Sequence, residues 1–369
     1  MKITDIEITV SKVKELGDLD DSPAKDTTTA SSPDIVLVTV HTEDGIEGYG
    51  FGWGTKGGLR TAHTIAEVFK PELINEDALA REYLWQKAHY ADRLGGNTAF
   101  TSYGPLDVAL WDIAAKSAQM PLYKYLGYYR SSVPAYASST FLKEPQEYVD
   151  LAKQAAKDGF TAFKLHPPGI PDLDIECCRA VREAMPNMIL MSDPVGGHYN
   201  HEEAIRVGRA LEKLDFLWLE EPIYDHDIHG LNKLCTTLDI PILASEWNSD
   251  FFSKANYIKS GAADILRADV SWTGGITGAL KTAHLAEAFG MNCEIHMTLL
   301  SLMDLANLHL ALAIKNCSYL EIPYPSGSTF GIKNPVKINS DGLVRPGNGI
   351  GLGVELDWDA IESSKIISL

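Results

Sequence analysis

The chain has 369 residues, of which 45% are hydrophobic and 22% charged, and its formal net charge is −18. That length gives ample core and fits two domains, or one large barrel with an appendage. So acidic a chain is a poor partner for nucleic acid or an anionic membrane, and an anionic substrate would need a local positive centre such as a metal or a lysine.

The opening stretch MKITDIEITV alternates polar and apolar residues, as a strand does, and lacks the basic and continuous apolar blocks of a signal peptide. No run of about 18 apolar residues follows, so no membrane span is expected. Residues 13–34 are rich in Asp, Ser, Thr and Pro and read as a loop, either a plain linker or a lid. DIVLVTVHTEDGIEGYGFGWG reads as a hairpin turning at Asp44-Gly45. Helical patterns follow at about 59–70, 77–93 and 101–119. The first third is therefore α+β.

From Val133 onward, short β-rich runs alternate with amphipathic helical stretches. The runs are VPAYASS, TAFKLH, MILMSD, FLWLE, PILASE, DILRAD, MNCEIH and SYLEI. Eight such units at a spacing of roughly 25 residues predict a parallel (β/α)8 barrel. An open doubly wound sheet would want a Gly-rich phosphate turn after its first strand; GGITG at 274–278 follows the sixth and reads as a turn leading into a helix. The tail, RPGNGIGLGVELDWDAI, is expected to leave the barrel and pack back on the first domain. The five cysteines, Cys177, Cys178, Cys235, Cys293 and Cys317, follow no metal spacing and suit reduced thiols in a cytoplasmic protein.

The ends of these strands carry the chemistry. Seven in succession finish in ionisable residues: Lys164 and His166, then Asp193, Glu220, Glu246, Asp269, His296 and Glu321. In a barrel all those ends meet on one rim, where active sites sit. Asp193, Glu220 and Glu246 come from three successive strands and would repel one another unless a divalent cation sat between them, and all-oxygen ligation suits Mg²⁺. Glu221 is either a supporting neighbour or a partner for a lysine. Lys164 and His166 are two apart on one strand and face the same way. Asp269 beside His296 would fix the ring tautomer and raise its basicity. Glu321 could donate a hydrogen bond if a dry site kept it protonated.

With these residues in hand the chain resembles the enolase superfamily, and within it the mandelate racemase subgroup. GPLDVALWDIAAKSAQMPLYKYLG is similar to that family's signature helix leading into the barrel, and LEEP, ASEW and TGGITGALKTAHLAEAFG match later segments in order. The resemblance implies an α/β fold: a (β/α)7β TIM-like barrel over about residues 126–345. It also implies an α+β capping domain over 1–125 with its lid at 13–34, and a C-terminal segment, 346–369, completing the cap. Asp193, Glu220 and Glu246 would be the Mg²⁺ ligands, Asp269–His296 the base dyad and Glu321 the electrophilic acid. The lid and residues 51–58 would cover a small-molecule carboxylate, and the chain would form a homo-oligomer. Two departures stand out: Lys-x-His replaces the family's Lys-x-Lys on the second strand, and Val195 stands where relatives tend to carry Asn. The implied activity is removal of the proton α to a carboxylate, leading to dehydration of an acid sugar. Racemisation or epimerisation, with His166 and His296 on opposite faces, and lactone cycloisomerisation are the alternatives. A non-catalytic metabolite-binding barrel and a metal-dependent hydrolase fit the residues less well.

Overall fold

The computed structural model describes residues 1–13, 34–54, 57–94, 100–196, 199–248, 250–297, 300–325, 327 and 329–369. The expected lid therefore lies, apart from Val13 and Asp34, outside the described residues, as does the middle of the 51–58 turn.

Three strands open the chain: β1 (Ile3–Lys12), β2 (Asp34–Thr42) and β3 (Glu47–Gly54), paired antiparallel. Gly45 takes φ +75° in the β2–β3 turn, a left-handed conformation that glycine adopts without steric cost. The glycines of EGYGFGWG have a packing reason. A Cβ on Gly48 would stand 2.0 Å from Ala109 O, and one on Gly50 2.1 Å from Pro105 O. Every second position is thus kept bare so that β3 can lie against the backbone of the helix Gly104–Ser117.

The helical patterns are present with altered bounds. Residues 58–73 form one continuous helix with a π-helical stretch at Ile65–Phe69. The next helix, Arg81–Leu94, starts later than the pattern predicts, because the side chain of Asp77 accepts the Leu79 N–H and its carbonyl the Ala80 N–H, closing a turn instead.

Eight parallel strands then close on themselves. They are β4 (Val133–Phe141), β5 (Ala162–His166), β6 (Ile189–Ser192), β7 (Leu219–Glu220), β8 (Ile242–Ala244), β9 (Ile265–Ala268), β10 (Asn292–Ile295) and β11 (Leu320–Tyr324). Each pairs with the next, and β11 pairs with β4. A short strand, β12 (Leu343–Val344), adds antiparallel to β4, and the last strand, β13 (Lys365–Ser368), adds to β1. The capping sheet is thus ordered β13-β1-β2-β3 and contains both ends of the described chain.

The barrel is a packed core. Tyr136, Ala162, Met191, Trp218 and Leu243 form a separate buried cluster, with the Tyr136 and Trp218 rings edge to face at 5.9 Å. This plug floors the site above it. The cap is tied to the rim by buried polar joints. Asp107 on the helix Gly104–Ser117 accepts the Thr277 N–H at 2.8 Å and the Thr277 hydroxyl at 2.7 Å, just inside the start of the helix that follows β9. Burial pushes the Asp107 carboxyl up to about 7, against the pull of those bonds. Trp85 donates to Gly274 O at 3.0 Å from the preceding helix. Among the described residues no helix is long and apolar enough to cross a membrane.

Candidate active site at the barrel rim

The strand ends bring together all the residues singled out from the sequence. Asp193 directly follows β6, Glu220 ends β7, Glu246 lies two beyond β8, Asp269 follows β9 and His296 follows β10. Glu321 differs: β11 runs on to Tyr324, so Glu321 sits inside its strand, level with Tyr136 of β4, and lies deeper than a strand end would. All six are nearly or fully inaccessible to solvent or, for His296, largely so.

Three of the surrounding turns are left-handed at residues that disfavour it: Val195 (φ +57°), Glu221 (φ +40°) and Ser245 (φ +86°). Such conformations cost on the order of 1–3 kcal/mol each and persist only where neighbours over-determine them. Here the neighbours are visible. Val195 N–H donates to Asp193 Oδ1 at 2.8 Å. Glu221 Oε1 accepts the Glu246 N–H at 3.0 Å, which answers its ambiguous role: it holds the backbone of the next acid. The buried ammonium of Lys254 donates to Ser245 O and, at 2.9 Å, to Arg267 O, clamping the ends of β8 and β9.

Lys164 Nζ lies 2.9 Å from Asp193 Oδ2, 3.0 Å from Glu220 Oε2 and 3.0 Å from Glu321 Oε1. Burial opposes its charge, but the three carboxylates outweigh that and hold the ammonium well above its ordinary range. Asp193, also buried, is driven low by Lys164 and His166. Glu246 is pushed up to about 7, by burial first and then by Glu220 and Asp193, with His296 and Arg267 opposing. Glu221, buried beside Asp225 and Glu246, is raised well above the carboxylate range. Repulsion among the acids thus shows at Glu246 and Glu221, whereas at Asp193 Lys164 and His166 outweigh it. Among the described residues, however, no three His, Cys, Asp or Glu side chains stand ready to grip an ion together. The carboxylate oxygens are turned instead to Lys164, Arg267 and the histidines.

The dyad is formed. His296 Nδ1 is 2.9 Å from Asp269 Oδ2, and its Nε2 faces Glu246 Oε1 at 3.4 Å. Burial disfavours the charged ring, yet Glu246 and the Asp269 hydrogen bond outweigh it and lift His296 to about 9. Asp269 is itself oriented by Asn307 Nδ2 at 3.0 Å and the Ser271 N–H at 2.6 Å. His166 Nδ1 lies 2.5 Å from the Ser139 carbonyl, which only accepts, so Nδ1 carries the hydrogen and Nε2 faces inward, 3.2 Å from Asp193 Oδ2. Both histidines thus have Nδ1 tied down and Nε2 turned to the site.

The expectation of a protonated Glu321 is not met. Burial favours the acid, but Lys164 and Arg267 dominate and hold the carboxyl well below its ordinary value. Glu321 accepts from Ser138 Oγ at 2.6 Å and pairs with Arg267 Nη2 at 2.6 Å. Arg267, Tyr136, Ser138 and Asn307 were missed from the sequence. For Arg267 a signal existed, since it stands two residues before Asp269 and period two puts both on one face.

The donor set suits a divalent cation in kind and in charge. With the Asp269–His296 pair balancing itself, ionised Asp193, Glu220, Glu246 and Glu321 face two fixed cations, Lys164 and Arg267, which leaves two negative charges among hard oxygen donors.

Known proteins match the whole length of the chain. Residues 8–127 match the family described as mandelate racemase/muconate lactonizing enzyme, N-terminal domain, and residues 147–360 match the enolase C-terminal domain-like family. Arabinonate dehydratase of Saccharolobus solfataricus is 31% identical over 86% of this chain and 87% of its own. A 3,6-anhydro-α-L-galactonate cycloisomerase of Streptomyces coelicolor is 31% identical over 91% of this chain and 93% of its own. The crystal structure of D-glucarate dehydratase from Agrobacterium tumefaciens, complexed with magnesium, superimposes with a TM-score of 0.88 at 34% identity, covering 100% of both chains. The chain belongs to the mandelate racemase/muconate lactonizing enzyme group of the enolase superfamily.

Proposed function

We propose that this enzyme removes the proton α to a carboxylate of an acid sugar and expels the β-hydroxyl as water, yielding a 2-keto-3-deoxy acid. The observation that carries the reading is the pairing, on one closed rim, of an oriented Asp269–His296 dyad with a carboxylate cluster whose uncompensated charge matches one divalent ion. Asp193, Glu220 and Glu246 would hold Mg²⁺. When bound, Mg²⁺ neutralises the substrate carboxylate and supplies charge stabilisation as the α-proton leaves.

The chain's own groups do the rest. In its neutral form, reached once a bound cation offsets the Glu246 charge that lifts it, His296 Nε2 takes the α-proton, while Asp269 fixes Nδ1–H and stabilises the imidazolium that forms. Lys164, already neutralising three acids, adds a preorganised positive charge next to the substrate carboxylate. The imidazolium then returns a proton to the departing β-hydroxyl, so water leaves, and the enol product tautomerises to the keto acid. The backbone N–H of Val195 serves Asp193, and its side chain has no amide to offer a substrate α-hydroxyl or a metal-bound water.

Epimerisation is the second reading, favoured by one observation: His166 has the same tied Nδ1 and inward Nε2 as His296. A panel of mono- and di-acid sugars with Mg²⁺ in D₂O separates the two. Keto acid formation is expected. Deuterium in recovered substrate and its epimer without keto acid would establish epimerisation, and no turnover or exchange with any acid would refute both.

A further inference from the structure

Arg267 enters the barrel interior from β9 and is fully buried. A guanidinium in that position needs negative charge around it, and two carboxylates provide it. Its Nε lies 2.8 Å from Glu220 Oε1, a charge contact not aligned as a hydrogen bond, and its Nη2 lies 2.6 Å from Glu321 Oε2. Lys164 takes the other oxygen of each: Glu220 Oε2 at 3.0 Å and Glu321 Oε1 at 3.0 Å. The four side chains close an alternating ring, each acid giving one oxygen to each cation. Arg267 Nη2 also donates to Tyr136 Oη at 2.9 Å, which seats the ring on the aromatic plug beneath.

Resting on the function proposed above, we infer that Arg267 is a positioning residue of this reaction: it anchors the inner oxygens of Glu220 and Glu321, so that Lys164 and the outer oxygens stay directed to the rim. Without it, Lys164 is, among the described residues, the one fixed cation within 3.0 Å of both acids, and Glu321 keeps only the Ser138 hydroxyl besides. Glu220 collapses onto the ammonium and withdraws from the cation site, and Lys164 is drawn away from the substrate carboxylate. Arginine suits the task because its rigid fork offers separate nitrogens to acids on β7 and β11, whereas a lysine offers one compact charge.

The test compares Arg267→Met and Arg267→Lys with wild type by Mg²⁺ titration calorimetry, thermal melting and steady-state kinetics. Partners that orient metal ligands are typically worth about 10–100-fold in metal affinity or activity. Arg267→Met is expected to weaken Mg²⁺ binding about tenfold or more, and at saturating Mg²⁺ to lower kcat with KM little changed. Arg267→Lys keeps the inner charge, so it is expected to fold and to bind Mg²⁺ within about threefold of wild type, with kcat still about three- to tenfold down. A lower melting temperature with Mg²⁺ affinity and kcat intact in Arg267→Met would reduce Arg267 to a structural ion pair and overturn the inference. If the Met variant does not fold, undiminished kcat in Arg267→Lys overturns it equally. The Mg²⁺ titration needs no substrate, so wild type that binds Mg²⁺ but turns over no acid sugar would refute the function while leaving Arg267 to be judged by affinity.

Discussion

His309 offers a quantitative test of the joint between cap, barrel and tail. It lies on the helix Ser301–Ala313, is buried, and stacks on Tyr123 at 5.8 Å between ring centroids. Nδ1 accepts the Tyr123 N–H at 3.0 Å and Nε2 donates to Leu352 O at 3.1 Å. That pattern requires the neutral ring, and burial, the dominant cause, depresses His309 from 6.5 to about 4. Because the folded value lies below the unfolded one, the unfolded chain binds the extra proton. The contribution is complete above the unfolded value near 6.5 and is lost as pH falls toward 4. That difference is worth about 3 kcal/mol, most of it gone by about pH 4.5. The perturbation is His309→Gln, whose amide can accept from Tyr123 and donate to Leu352 without titrating. Urea denaturation of both proteins between about pH 7.5 and about 4.5 should show wild type losing about 2–3 kcal/mol relative to the variant. A wild-type–variant difference that stays flat across that range would refute the reasoning.

The remaining predictions concern the site and the cap. His296→Asn should leave folding and Mg²⁺ affinity near wild type while lowering kcat about 10²–10⁴-fold, read by single-turnover keto-acid formation; near-normal rates would remove His296 from the chemistry. Glu220→Gln should weaken Mg²⁺ binding about tenfold or more, read by calorimetry, with unchanged affinity excluding it as a ligand. Asp107→Ala leaves the buried Thr277 N–H and hydroxyl without their acceptor and should cost about 2 kcal/mol in denaturant titration. Gly50→Ala forces a methyl against Pro105 O and should cost about 3 kcal/mol or more, and a neutral result would mean β3 can slide off its helix.

Much of this site could be read along the chain because βα alternation turns sequence order into spatial order. Asp193, Glu220, Glu246, Asp269 and His296 follow or end short apolar strands, and each boundary falls where apolar patterning stops. Glu321 was legible as an inward acid but not in its charge state, because that depends on Arg267 and Lys164, which approach from strands far off in sequence. Arg267 carried a period-two signal, its spacing from Asp269, but that signal was outweighed. The residue sits inside an apolar strand, where a charged side chain looks like a surface residue until the barrel closes around it. The left-handed turns at Val195, Glu221 and Ser245 fall on no Gly or Asn: Glu221 and Ser245 are held by contacts with later segments, and Val195 by the side chain of Asp193 two residues before it. The late start of the helix Arg81–Leu94 is a local competition that periodicity overlooks, won by the Asp77 turn.

The pairing of β13 with β1 has a consequence for how the polypeptide matures. Ile8 and Leu369 exchange backbone hydrogen bonds in both directions, at 3.1 and 2.9 Å, across more than three hundred intervening residues. On the ribosome, the N-terminal sheet must wait with an open flank while the entire cylinder is translated and only then receives its last ribbon. Loss of β13 would therefore leave the flank of β1 unpaired while the cylinder stays closed on itself.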